Sequence, residues 1–498
     1  MHESFSVYMG EDKKSLIALG SISLLLGITF NYLFFEELPG ANIPIFILLA
    51  ILGALALSRF YGKHLSTTDL VLVALSAFFA SMVFIRGSEL LTFFNVAGSV
   101  LLLFLATYTY TRKKLEALIP TDFLEFCLLP IKYLLSFFNT LGAFLNTLFE
   151  GVVGNSPKAK EVVRGSIIAV VLLVVFGFLF ASADLVFKDL ATRIFSFSFD
   201  EESVIRLIII AIITTVFLGV FGYAFRSKAE SQEVSERNRW LGGIETMVVF
   251  GAVNLLFLGF VALQFAYLFN GNALPGELTF AEYARRGFYE LVFVAMLSYF
   301  LIGFAESQIK KRGTAHLRSF KILSAILIAQ VVIILVSAFM RLSLYEDAYG
   351  FSTIRLYSYA FMIWLGVILV FLSGYILANV RREHFTLVTF ASVVVLLLSM
   401  NLLNPDAFIA RENMARYAET GKIDSAYLGT LSADALPVTV SLLENPDLSV
   451  RLPFAEKVSR KGYLDYKGWK GTHLPDLRAR ELLEPHVGLL EEAYALSR

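Results

Sequence analysis

The stretch "RLSLYEDAYGFSTIRLYSY", Arg341–Tyr359, carries residue types that bind anions, although apolar chain flanks it on both sides. An arginine guanidinium presents a planar fork that binds phosphate or carboxylate through two hydrogen bonds. Arg341 and Tyr345 are four residues apart, so a helix would place them on one face, which Tyr349 continues. Gly350 is expected to end that helix, and Ser352 or Thr353 to cap the next one. The stretch therefore predicts a polar turn between two helices that has the chemistry to hold an anionic group.

Charged residues also lie near the ends of other apolar segments. Examples are Asp184 in "FASADLVFKDL" and Glu290 in "FAEYARRGFYEL". A charge inside a membrane costs about 2.5–3.5 kcal/mol on insertion scales, so such residues are expected to be paired or to face water. We group them as the outer-face cluster, which consists of Asp184, Arg285, Arg286, Glu290, Arg341, Tyr345, Glu346, Tyr349 and Arg355. Further candidates near the C-terminus are Asn404, Asp406, Arg411 and Asn413, whereas Lys113 and Lys114 are expected to meet anionic lipid head groups.

Three interpretations of the outer-face cluster remain open. Its members form structural ion pairs with a tyrosine belt, or they line a pocket for an anionic ligand, or its acids perform catalysis. The sequence has no Walker loop, GxSxG elbow or HExxH pair. The sequence therefore predicts no cofactor and no metal, and it favours a non-enzymatic protein without deciding the question.

The composition is that of a membrane protein. Of 498 residues, 57% are hydrophobic and 17% are charged, with a mean hydropathy of +0.69; soluble domains average about 25% charged residues. The net charge of zero gives no indication of a nucleic-acid partner. We predict an all-α polytopic protein with about 11 transmembrane helices. The predicted spans are Ser15–Phe35, Ala41–Leu57, Leu70–Ile85, Leu90–Tyr110, Gly165–Phe187, Val204–Phe225, Glu245–Phe269, Phe288–Ala305, Phe320–Met340, Tyr357–Val380 and Phe385–Leu403.

The segment Phe123–Phe149 is apolar but keeps a polar stripe, which is typical of a helix at the membrane interface. If it does not span, the Lys and Arg of the short loops fall mainly on the N-terminal side; if it does, they divide almost evenly. We therefore predict an interfacial segment at about 112–164, a cytoplasmic N-terminus and an extracytoplasmic C-terminus in the cytoplasmic (inner) membrane. Whether the segment is interfacial or re-entrant stays open.

The composition becomes that of a soluble protein after residue 403. Helical patterns recur at Ala407–Glu419, which "NPD" opens as an N-cap signal, and at Asp434–Leu443 and Arg478–Leu496. We predict a transmembrane domain over 1–403 and a small extracytoplasmic helical domain over 404–498, called the C-terminal cap below.

Several motifs, in the same order, resemble a bacterial family of multi-pass membrane proteins known as a domain of unknown function of the 4153/4173 type. They include "YARRGFYEL", "RLSLYEDAYGFSTIRLY", "NPDAFIARENMARY" and "LSADALP". The resemblance implies a multi-pass protein of the bacterial envelope and no particular activity. The residues that fit the family pattern are Asp184, Gln264, Tyr283, Arg285, Gly287, Arg341, Tyr345, Tyr349, Gly350, Arg355, Asn404, Asp406, Asn413 and Tyr417.

The functional expectation is therefore broad. The outer face is expected to bind an anionic solute, a lipid head group or an envelope partner, for transport or sensing. The alternatives are an enzyme acting on a lipid-linked substrate at the outer leaflet and a structural or assembly partner. Apart from the lipid bilayer, neither the ligand, the protein partners nor the oligomeric state is predicted.

Overall fold

The computed structural model describes residues 13–111, 126–153, 201–226, 241–265, 288–309, 314–378, 382–465 and 468–496, with isolated positions at Val162, Gly165, Ala169, Leu173, Phe176 and Phe180. The helices before the C-terminal cap are α1 Lys13–Phe34, α2 Asn42–Phe60, α3 Thr67–Ile85, α4 Glu89–Thr111, α5 Leu129–Val153, α6 Glu201–Arg226, α7 Gly243–Gln264, α8 Phe288–Gln308, α9 Thr314–Tyr349, α10 Thr353–Ala378 and α11 Arg382–Leu403. Those of the C-terminal cap are α12 Pro405–Thr420, α13 Ser425–Thr430, α14 Leu436–Thr439, α15 Leu448–Ser459, α16 Leu474–Leu483 and α17 Val487–Leu496.

Ten helices of the described chain are long and apolar enough to cross a membrane, namely α1–α4 and α6–α11. They correspond one to one to ten of the eleven predicted spans, and the eleventh, Gly165–Phe187, lies outside the described residues apart from isolated positions. Large apolar side chains cover the outside of these helices, and such a surface is stable only against lipid. The protein is therefore an all-α polytopic membrane protein, as its composition predicts.

Helix α9 continues past the predicted membrane span Phe320–Met340 and ends where Gly350 is expected to end it. The apolar run ends at Met340, but the helix continues to Tyr349 and has 36 residues. At 1.5 Å per residue it is about 54 Å long, whereas the hydrocarbon core of a bilayer is about 30 Å thick. The first half of the Arg341–Tyr359 stretch is consequently the projecting end of a membrane helix rather than a loop.

The membrane helices form two groups with separate hydrophobic cores. Side chains from α7–α10 build one core, around Phe250, Ile302, Leu327 and Leu369. Smaller clusters hold α1–α4, α5 and α6 together. Helix α11 packs against both α10 and α4, so it joins the two groups.

Contacts between helix ends show on which side of the membrane region each end lies. On the side of the C-terminal cap, Arg86 Nε donates to the Asn401 carbonyl at 2.9 Å. On the opposite side, Lys63 Nζ donates to the Ala224 carbonyl at 3.3 Å. Helix α4 therefore ends opposite the C-terminal cap, whereas α6 begins on the cap side.

Helix α5 covers most of the predicted interfacial segment Phe123–Phe149 and packs closely on α6. A Cβ added at Gly219 would lie 2.5 Å from the Tyr133 carbonyl oxygen, and one at Gly222 would collide with Thr140 Oγ1. Both glycines are near the end of α6 that lies opposite the C-terminal cap. Glycine thus permits the close approach of α5 to that end of the bundle, while the interfacial placement of the segment stays a prediction.

The short helices of the C-terminal cap enclose a core of their own. Buried members include Ile409, Leu443, Phe454 and Leu483, and Leu356 from the start of α10 joins them. Helix α10 therefore reaches into the core of the C-terminal cap and connects the cap to the α7–α10 group.

Candidate functional site

The turn between α9 and α10 is built as the sequence predicts, because α9 ends at Tyr349 and Gly350 has a φ of +76°. Asn413 of the C-terminal cap bridges the next residue: its Nδ2 donates to the Phe351 carbonyl at 2.9 Å and its Oδ1 accepts from the Phe351 N–H at 3.1 Å. The prediction that Ser352 or Thr353 caps the start of α10 is only partly right. Helix α10 begins at Thr353, but the Thr353 N–H donates to Tyr427 Oη at 2.7 Å. The C-terminal cap thus holds the backbone on both sides of the turn.

Replacing Gly350 by alanine is expected to destabilise this turn by about 2 kcal/mol. A side chain strains the left-handed backbone there, and its Cβ would collide with Asn413 Oδ1. The measurement is thermal unfolding of the purified protein in detergent. Gly374→Ala in α10 is the matched control, because nothing lies within 4 Å of an added Cβ there; an equal loss in both variants would contradict the expectation.

Arg355 is held by the end of α9. Its guanidinium carbon lies 4.1 Å from the Tyr345 ring centre, and its Nη1 donates to the Gly350 carbonyl. Arg416, which the sequence analysis did not single out, donates to the Ala348 carbonyl at 2.8 Å. Carbonyls at a helix C-terminus attract cations because the helix dipole is negative there. Arg355 and Arg416 therefore stabilise the C-terminal end of α9, which agrees with the structural interpretation of the outer-face cluster.

Arg341 belongs to a different environment from Arg355. It is buried among the membrane helices, where its Nη2 donates to Gln264 Oε1 at 3.0 Å, and Ser337 Oγ donates to the same oxygen at 2.7 Å. Glu346 accepts from Tyr359 Oη at 2.9 Å. The structure thus separates Arg341 from the other described members of the outer-face cluster. Tyr345, Tyr349 and Arg355 lie together at the end of α9, where Tyr349 and Arg355 line a cavity of about 210 Å³.

The remaining predicted site residues are dispersed. Glu290 is exposed in the first turn of α8, and Arg411 is exposed on α12. Asp184, Arg285, Arg286, Lys113 and Lys114 lie outside the described residues. Three amides within the membrane helices, Asn254, Gln264 and Gln330, form hydrogen bonds to other helices. Among the described residues, no group of three or more His, Cys, Asp or Glu is arranged to hold a metal.

Asp434 connects the C-terminal cap to the ends of the membrane helices. Its carboxylate accepts from the Gly87 N–H at 2.6 Å and from Asn404 Nδ2 at 3.1 Å, and Arg86 Nη1 lies 4.0 Å away. Burial raises the pKa of the Asp434 carboxyl above its usual range, although the Gly87 N–H, Arg86 and Asn404 act in the opposite direction. We call this group the Asp434 junction.

The Asp434 junction explains two of the cap residues that the sequence singled out. Asn404 occupies the N-cap position of α12, but its side chain bonds to Asp434 instead of capping the helix. Asp406 is buried and accepts from the Ser432 N–H at 3.1 Å. The quoted motif "LSADALP" contains Asp434, yet the sequence gives no sign that this acid meets Arg86.

A cavity of about 950 Å³ separates the ends of the membrane helices from the C-terminal cap. We call it the cap-side cleft. Its membrane side is formed by Leu38, Pro39, Gly87, Ser88, Glu89, Leu90, Thr92, Phe93, Val96 and Thr353. Its cap side is formed by Asp406, Tyr427, Thr430, Leu431, Ser432, Arg460, Lys461, Tyr463, Gly471, His473 and Asp476.

The polar groups of the cap-side cleft differ in how they are engaged. Asp406 and Asp476 accept backbone N–H groups, and Arg460 forms an ion pair with Glu456 at 2.8 Å. Lys461 has no acid within ion-pair distance in the part of the chain that the structure describes. The membrane side of the cleft combines apolar side chains of α4 with the acid Glu89, and the cap side carries Lys461, a cation with no described acid partner. An amphiphile with an anionic head group would match the apolar α4 surface and Lys461, provided that its head group lies away from Glu89. Lys461 lies in a stretch for which the sequence analysis made no functional prediction, so nothing there indicated it.

Residues 70–442 match a known protein family, described as Domain of unknown function (DUF4153). The match begins within α3 and ends in the C-terminal cap, so it includes the Asp434 junction but not α15. No curated protein matches the chain, and no solved structure matches it either. Because the match covers most of the sequence and agrees with the resemblance of the motifs, the chain belongs to the DUF4153 family, which is described as a domain of unknown function.

Proposed function

We propose that the protein binds a membrane amphiphile with an anionic head group in the cap-side cleft, for transport or sensing. The observation that carries the proposal is that one cleft brings the apolar α4 residues Leu90, Phe93 and Val96 together with Lys461, which has no described acid partner. The cleft volume of about 950 Å³ lies at the upper end of the range of about 300–1,000 Å³ for small-molecule sites. A ligand that is itself divided into an apolar and a charged part matches both features.

Lys461 is the group that would hold the head group. It follows the last turn of α15, and its ammonium is the cleft cation that no described acid neutralises. A phosphate or carboxylate would accept a charge-assisted hydrogen bond from the Lys461 ammonium.

The apolar part of the ligand would follow α4. Leu90, Phe93 and Val96 are spaced three apart and share one side of that helix. Phe93 is 65% exposed, and the exposed apolar surface continues down the membrane to Leu101. This surface gives an acyl chain a path from the bilayer into the cleft without passing through water.

The proposed location is the outer face of the bacterial cytoplasmic membrane. The loops on the side opposite the C-terminal cap carry most of the Lys and Arg of the short loops, and such loops are usually cytoplasmic. The C-terminal cap and the cleft beneath it would then be extracytoplasmic. A ligand in the cleft would come from the outer leaflet.

Native mass spectrometry of the protein released from nanodiscs of anionic phospholipid tests the proposal. We expect the wild type to retain one phospholipid, and Lys461→Glu to reduce its affinity about tenfold or more, because a charge-assisted hydrogen bond contributes about 1.5–3 kcal/mol. Arg451→Glu, on α15 and outside the cleft lining, is the charge control and should retain the lipid.

A cleft-filling variant separates this site from general lipid contact. Val96→Trp fills the membrane side of the cleft and should abolish retention. Leu256→Trp places the same side chain on the exposed surface of α7, away from the cleft and from α4, and should leave retention unchanged. Equal retention by all four variants and the wild type would refute the proposal.

A further inference from the structure

A short turn of the C-terminal cap rests on the loop between two membrane spans. The Ala41 N–H donates to the Thr472 carbonyl at 3.2 Å. A Cβ added at Gly40 would lie only 2.5 Å from the Gly471 carbonyl carbon, so the two backbones are in direct contact. Helix α1 ends at Phe34 and α2 begins at Asn42, which places this loop at the membrane boundary. The turn that contacts it, residues 468–472, must lie at the same level.

The same turn is at the outer edge of the helix bundle. Lys470 Nζ lies 4.5 Å from the centre of the Tyr32 ring, and Tyr32 is 59% exposed in the last turn of α1. Lys470 also forms an ion pair with Glu37 at 3.7 Å. Because the exposed side of a membrane helix faces lipid, a residue that packs on Tyr32 is next to the bilayer.

Trp469 precedes Lys470 and leaves half of its side chain uncovered. Nearby, the Arg206 guanidinium carbon lies 4.0 Å from the centre of the Phe35 ring, just after the end of α1. Aromatic rings with adjacent cations at the level of helix ends are typical of the membrane interface, where Trp and Tyr place an apolar ring and a polar tip. The cations here are paired with Glu37 and Glu202, so the edge carries little net charge.

We propose that residues 468–472 form a lipid contact that seats the C-terminal cap on the membrane, with the Trp469 ring inserted at head-group depth. The partner is the bilayer surface itself. The insertion relies on an aromatic ring rather than on net positive charge, so it does not require anionic lipid. This contact is on the perimeter of the protein and does not depend on a ligand in the cap-side cleft.

Depth-dependent fluorescence quenching tests the proposal. Trp240→Phe and Trp364→Phe leave Trp469 as the single tryptophan of the full chain, which is reconstituted in vesicles of zwitterionic phospholipid brominated at one of two chain depths. We expect stronger quenching by bromines near the head group than by bromines near the chain ends. Weak quenching by both lipids, or stronger quenching by the deep bromines, would overturn the proposal.

A second single-tryptophan protein is the matched control. Trp240→Phe with Trp469→Phe retains Trp364, which lies within α10 and donates to Ser392 Oγ at 3.0 Å. It should be quenched more by the deep bromines, showing that the vesicles report depth. Quenching of both proteins with the same depth profile would also overturn the proposal.

Discussion

Replacing Asp434 by alanine is expected to loosen the C-terminal cap from the membrane helices at a cost of about 3 kcal/mol. The variant leaves the Gly87 N–H and Asn404 Nδ2 without their acceptor and removes the acid beside Arg86. A buried donor that loses its partner costs about 1–3 kcal/mol, and a charged one costs more. Limited proteolysis in nanodiscs should therefore cut after residue 404 at least ten times faster in the variant than in the wild type.

Two further variants define the cause of that effect. Asp434→Asn should cost less than alanine, because the amide keeps an acceptor and because burial already raises the pKa of the carboxyl and favours its neutral form. The stabilisation that the protonated Asp434 carboxyl contributes is fully present below the ordinary pKa of an aspartate. It is lost as the pH rises through the raised pKa of Asp434 in the folded protein. Glu481 is an exposed acid on α16, so the Glu481→Ala variant should be cleaved at the same rate as the wild type. Faster cleavage of that variant would mean that the loss of any acid of the C-terminal cap increases proteolysis.

Arg341→Ala is expected to reduce the stability of the α7–α10 group by about 2–4 kcal/mol. The substitution removes a buried guanidinium donor from Gln264 Oε1 and opens space beside the core of α7–α10. Loss of a buried polar partner and loss of packing add to each other here. The measurement is thermal unfolding in detergent, followed by the yield of monodisperse protein.

Comparison with two other arginine variants identifies what Arg341 contributes. Arg341→Lys keeps the charge but loses the fork, so an intermediate loss is expected. Arg355→Ala removes a half-buried side chain that lies on the Tyr345 ring and the Gly350 carbonyl, and it should cost about 1 kcal/mol. A larger loss in Arg355→Ala than in Arg341→Ala would contradict the contacts described above.

Local composition was sufficient to predict the membrane helices. Continuous apolar runs identified ten of the helices that the structure describes, because a span must satisfy its backbone internally and present apolar side chains to lipid. Apolar runs do not predict the end of α9, which Gly350 and the four-residue spacing of Arg341, Tyr345 and Tyr349 indicate instead. Its last residues are charged and aromatic, and they remain helical because Arg416 and Arg355 occupy the carbonyls at its C-terminus.

The candidate site could be predicted only in part. Helix spacing correctly placed Tyr345 and Tyr349 on one face, where their ring centres are 4.9 Å apart. The same reasoning grouped Arg341 with Arg355, although one is buried among membrane helices and the other braces a helix end. The Asp434 junction and the cap-side cleft arise from residues that are hundreds of positions apart, and no local pattern in one sequence reveals such contacts.

An experimental map of the protein in lipid nanodiscs tests the central claim most directly. The account predicts one elongated density in the cap-side cleft, with its head within hydrogen-bonding distance of Lys461 and its chain along Phe93 and Val96. A cleft that contains only ordered water, or that closes by direct contact between α4 and the C-terminal cap, would contradict it.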